Sequence, residues 1–146
     1  MTGVAEERYG AGTELRLLVF SIDGSRFAAD ADQVDSLQLC DPESVPGHAV
    51  PFHEVVGFTG RAVTYRCPEI CTIRSEAGIC RLVIESPEDI IAVPWESLRP
   101  LPALIEPFAV QRGIWAGIAE SNRIILVIDL CRLASTGNLW KMQGDI

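Results

Sequence analysis

The sequence predicts an all-β chain built from two similar halves, and three observations carry that reading. The apolar runs are short, rich in Val and Ile, and broken by Gly, Pro, Asp and Asn, the pattern of strands joined by turns. No window of eleven or more residues keeps apolar positions at i, i+3, i+4 and i+7 without a Gly or Pro inside it, so long helices are not expected. The motif Arg16-Leu17-Leu18-Val19 returns 65 positions later as Arg81-Leu82-Val83-Ile84.

The elements follow in order. Residues 15–22 are apolar at almost every position, which predicts a strand covered on both faces. Asp23-Gly24 tolerates positive φ at both positions and predicts a hairpin turn, with residues 26–29 returning from it. Residues 30–37 read as a short turn or single helical turn that carries Val34 inward. Residues 41–54 hold Pro42, Pro46, Gly47 and Pro51 and read as a loop. Short strands are expected at 55–58 and 62–66. Residues 68–72 read as one helical turn with Pro68 at its first position.

From residue 79 the pattern begins again. Phe27-Ala28-Ala29 matches Ile91-Ala92-Val93, and Val34 matches Leu98. Val56-Gly57-Phe58 matches Ala116-Gly117-Ile118, and Arg61-Ala62-Val63 matches Arg123-Ile124-Ile125. Two copies at a period near 60 are too few and too long for a solenoid. They fit two small β-subdomains packed together, each too small to be stable alone. The organisation expected is an N-terminal arm (1–14), one domain (15–134) made of halves 15–78 and 79–134, and a tail (135–146). The tail carries Leu139, Trp140 and Met142 for docking on the body.

Composition narrows the function. The 146 residues are 48% hydrophobic and 22% charged, enough for one packed core. The net charge of −8 repels phosphate backbones and anionic lipid head groups, so no nucleic acid is expected as a partner. The longest unbroken aliphatic run, 124–128, is five residues, whereas a membrane span needs roughly 18, so no direct membrane insertion is expected either. Glu6, Glu7 and Arg8 stand where a signal peptide would be apolar, which predicts a cytoplasmic protein. The charge is uneven: residues 1–54 hold ten acids against three bases (−7), and residues 55–146 ten against nine (−1). That asymmetry marks either a partner face or a solvated acidic loop.

Candidate chemistry is sparse. Cys40, Cys67, Cys71, Cys80 and Cys131 are odd in number and read as reduced thiols. Cys67-x3-Cys71 followed by Cys80, with His53 or His48, has a spacing that zinc permits, but the second Cys pair is missing. Cys40, Cys80 and Cys131 read as small buried hydrophobes. The sequence lacks both glycine-rich phosphate loops, and Lys141 is its one lysine, so no cofactor and no enzymatic activity are expected. Gly57 and Gly117 are expected to interrupt strands at matching places, as barrel corners. Trp115 is expected in the core.

These residues together resemble a known family. The opening Leu17-Leu-Val-Phe-Ser-Ile-Asp-Gly-Ser-Arg-Phe-Ala28 and the turn carrying Val34 resemble the first hairpin of the CheW-like domain. So does the closing stretch, Trp115-Ala-Gly-Ile-Ala119, a turn, then Arg123-Ile-Ile-Leu-Val-Ile-Asp-Leu-Cys-Arg-Leu133. The likeness spans residues 15–134. It implies two five-stranded SH3-like β-barrels sharing an apolar core, and a non-catalytic adaptor that couples a methyl-accepting chemoreceptor to a CheA-type histidine kinase. The groove between the barrels would take the receptor's helical tip. The contact residues implied are Val34, Val56, Phe58, Thr59, Gly60 and Arg61, with Gly57, Gly117 and Asp129 structural.

The chain departs from the family where members carry Gly, a few residues, then Asn-x-Arg-Gly. Here the sequence is Gly57-Phe-Thr-Gly-Arg61, about three residues shorter, with Thr59 in the Arg position. Two other readings stand beside the first: a CheW-like module scaffolding another two-component or motility pathway, and a small Cys/His metal-binding protein using Cys67, Cys71 and His53.

Overall fold

The computed structural model describes residues 13–57, 62–76 and 78–134. β1 (Glu14–Ile22) and β2 (Ser25–Asp30) form a hairpin. Its turn residues Asp23 and Gly24 have φ of 50° and 84°, the left-handed pair that a tight type I′ turn needs. A 3-10 turn (Ala31–Gln33) leads into β3 (Val34–Leu39). Then come β4 (Val50–Pro51), α1 (Phe52–Val56), β5 (Pro68–Ser75), β6 (Gly78–Glu85) and β7 (Asp89–Pro94). A second 3-10 turn (Trp95–Ser97), α2 (Glu106–Gln111), β8 (Ile114–Glu120), β9 (Arg123–Ile128) and α3 (Leu130–Ala134) complete the chain.

The strands form two curled sheets, ordered β7-β1-β2-β9-β8 and β3-β5-β6-β4. Each sheet draws strands from both halves of the sequence. The β1–β2 hairpin sits between β7 and β9, while β6 pairs with β5 and, in parallel, with β4. The first sheet closes on itself. Leaving β7, the chain turns through 95–97 and brings Arg99 against the far edge strand β8, where Arg99 and Gly117 exchange N–H···O bonds of 2.8 and 2.9 Å.

The position of β1 explains why it is apolar from Leu17 on, Ser21 excepted, whereas Glu14 and Arg16 are exposed. Leu15, Leu17 and Val19 point into the first barrel with Ala28, Ala116, Ile118, Ile125 and Val127. The alternate residues Leu18, Phe20 and Ile22 point the other way, into a core shared with Phe52, Cys71, Ile73, Cys80, Leu82 and Ile84. A strand between two cores has no solvent face, so the period-2 alternation vanishes. Trp95 and Trp115 stack at 6.2 Å and pack half-buried against the first barrel.

One matched pair of positions shares a local geometry. Val34 and Leu98 each follow a 3-10 turn, and each donates its N–H to the carbonyl of the turn's first residue, Ala31 or Trp95. The match of 56–58 with 116–118 does not hold in three dimensions, because Val56 ends α1 whereas Ala116 and Gly117 lie within β8.

Four local expectations are corrected. The strand expected from residue 55 is α1: Phe52 and Val56 are one helical turn apart and bury the same face. Residues 62–65 form no strand, so among the described residues the second sheet has four strands, not five. The helical turn expected at 68–72 is β5. Pro68 opens that strand, where its missing N–H is tolerated, and Ile70 to Ile73 pair along β6. Residues 34–39 form β3 with a register shift between Val34 and Ser36. The shift lets Val34 and Leu37, three apart, both reach the core, a spacing that imitates a helical turn.

One polar contact ties the two ends of the fold. Gln33, 5% exposed, donates to Asp129 Oδ1 at 2.9 Å and accepts from the Leu130 N–H at 2.7 Å. Asp129 Oδ1 also accepts the Arg132 N–H and so caps α3. Gln33→Leu strands both partners, and is expected to cost about 1–3 kcal/mol as a lowered urea midpoint at unchanged slope. An unaltered midpoint would mean that water replaces the side chain.

Candidate functional site

The contact residues expected from sequence do not form one exposed patch. Val56 is 4% exposed and faces the shared core. Val34 is half-buried at the start of β3 and packs on that core too. Both are core side chains, because each sits on the inward face of its element. Phe58, Thr59, Gly60 and Arg61 lie outside the described residues, as does the tail with Leu139, Trp140 and Met142.

The three residues expected to be structural have distinct positions. Gly57 is not a strand residue. It closes α1 in the left-handed region (φ 93°), donating its N–H to the His53 carbonyl, the usual glycine role at a helix end. A Cβ there would fall 2.7 Å from Arg112 Nε, so the side chain of Arg112, just past α2, lies against this backbone. Gly117 is extended within β8, between β9 and Arg99, where a Cβ would meet Ile124 Cγ2 at 3.3 Å. Asp129 caps α3, as described.

A pocket of about 310 Å³ lies on the outer face of the second sheet. Its floor is Val83, and its walls come from Pro42, Val45, Pro51, His53, Val63, Thr64, Tyr65 and Pro68. These residues reach it from the 40–49 loop, β4, the start of α1, the 62–65 segment and the start of β5. Tyr65 joins two of those elements: its hydroxyl accepts the His53 N–H at 3.2 Å and lies 3.0 Å from His53 Nδ1. Burial pushes the Tyr65 phenol up to about 12, so at neutral pH it is a hydrogen-bonding hydroxyl rather than an ion. The pocket is therefore an apolar recess with one polar clasp on its wall.

The candidate metal ligands are not gathered. Cys71 is 1% exposed inside the apolar core, whereas Cys67 is exposed, and His53 is engaged with Tyr65. Among the described residues no three His, Cys, Asp or Glu side chains converge on one point. Burial also pushes the Cys71 and Cys80 thiols up to about 12. Neither is a thiolate at neutral pH, and only the thiolate attacks or binds metal.

Sequence reasoning missed a second surface feature. Leu104, Ile105 and Phe108, on α2 and its lead-in, are 86%, 48% and 65% exposed. Their signal was present as Leu104-Ile105-Glu-Pro-Phe108, apolar residues in a Pro-bounded segment too short to bury itself. Among the described residues no helix is long and apolar enough to cross a membrane.

Two curled sheets sharing a core, with a hairpin from one half built into the sheet of the other, form a fold like that of a solved CheW structure. The chain superposes on the crystal structure of the scaffolding protein TtCheW from Thermoanaerobacter tengcongensis with a TM-score of 0.62. The match covers 86% of this chain and 95% of that one, at 12% identity. A scan against protein-family models and a search of curated proteins find no match.

Proposed function

We propose that the chain is a non-catalytic adaptor that couples a methyl-accepting chemoreceptor to a CheA-type histidine kinase in the cytoplasm. The observation that carries this reading is the shared fold with a scaffolding protein over 86% of the chain. In this reading Phe58, Thr59, Gly60 and Arg61 form the receptor-contact segment, and Val34 and Val56 support it from the core.

The test is co-sedimentation of the purified chain with receptor signalling fragment and kinase. The chain is expected in the pellet with both, and Phe58→Ala is expected to weaken receptor capture about tenfold, an anchor residue's contribution. Binding to neither partner at tens of micromolar sinks the proposal. A second reading, scaffolding of another two-component or motility pathway, is favoured by the shortened Gly57-Phe-Thr-Gly-Arg61 stretch. It predicts kinase-type partners in a pull-down without chemoreceptors.

A further inference from the structure

We propose that the pocket on the outer face of the second sheet seats one large apolar side chain of a basic, amphipathic partner segment. At about 310 Å³ it stands at the small end of ligand sites, the right size for an anchoring side chain. Three of its wall residues are prolines and its floor is a strand residue. Such walls lose little freedom on binding, which favours affinity.

The charge around the recess selects the partner's sign. Glu54 and Glu85 stand near enough to the wall residue Tyr65 for their charges to act on it, Asp41 adjoins Pro42 in sequence, and Glu43 stands between Pro42 and Val45. Glu85 lies close by, its carboxylate accepting the Arg66 and Cys67 N–H groups at 2.8 and 2.6 Å. Among the described residues Arg66 is the one base that adjoins a wall residue. An apolar recess inside an acidic rim attracts lysines and arginines that flank an apolar anchor, and repels acidic peptides. This inference goes beyond the adaptor reading, since it holds whichever pathway supplies the segment.

The test is an amide chemical-shift titration of the full chain. The probes are an amphipathic Lys/Leu peptide of about five helical turns carrying one Trp, its Glu/Leu counterpart, and a Lys/Ser control without an anchor. The Lys/Leu peptide is expected to shift Val45, Val63, Tyr65 and Val83, and the other two to leave them unmoved. The combined D41N/E43Q/E54Q variant is expected to bind at least about tenfold more weakly, and Val45→Ser several-fold more weakly. Shifts centred on Leu104 and Phe108, equal binding of the Glu/Leu peptide, or wild-type affinity in the triple variant would each overturn the proposal. The mapping uses wild-type protein, so it stands even if a variant misfolds, and co-sedimentation with receptor and kinase is scored separately.

Discussion

Phe52→Ala is expected to lower stability by about 3–5 kcal/mol, the cost of deleting a buried aromatic ring. Phe52 is 0% exposed and meets Phe20 and Phe27 edge-on, each at 5.0 Å between ring centres. Phe20 and Phe27 belong to the β1–β2 hairpin, which carries strands of the other barrel on its flanks. The ring therefore locks α1 and the second sheet to the element that both cores share. Thermal denaturation is expected to show a fall of about 10–20 °C. Phe108→Ala, on the exposed face of α2, is expected to stay within about 0.5 kcal/mol. Equal shifts for the two variants would refute the shared-core account.

The second large effect is a loss of stability in alkali. Burial holds the Cys71 and Cys80 thiols and the Tyr65 phenol at about 12, above ordinary values of 9.0 and 10.0. Each group prefers its neutral form when folded. Its contribution is therefore complete below the unfolded pKa and is lost as pH rises through the folded one. The urea midpoint is expected to be flat from about pH 7 to 8.5 and to fall steeply towards pH 12, by a few kcal/mol in total. The loss is smaller in a C71A/C80A variant. At about pH 8 a thiol-reactive dye should modify exposed Cys67 and leave Cys71 and Cys80 untouched in folded protein. Rapid labelling of all three would show that the core is open.

Legibility in the sequence tracked how local the cause was. The hairpin at Asp23-Gly24 was readable because two residues fix its geometry, the strand 15–22 from its nearly unbroken apolar run, and the strands at 81–84 and 91–93 from their likeness to 16–19 and 27–29. β3 was not, because a register shift places Val34 and Leu37 on one side at a helical spacing. α1 was not, because Pro51 looked like loop punctuation and Gly57 like a break within a strand, whereas they delimit a single helical turn. Pro68 misled in the opposite direction, since proline opens strands as readily as helices.

The candidate site was harder still. Val34 and Val56 are apolar whether they face a partner or a core, and only their position in the packing separates the two. The pocket draws on the 40–49 loop, α1, 62–65, β5 and β6, segments that no short-range pattern associates.

An all-β class and an acidic balance follow from composition and short-range pattern, because each is read from residues and their near neighbours. Which strands enter which sheet, where the recess opens and which valines are hidden depend on contacts between residues tens of positions apart in the chain. Those contacts are settled by burying both faces of β1 at once, a condition on the whole chain that no segment of it states.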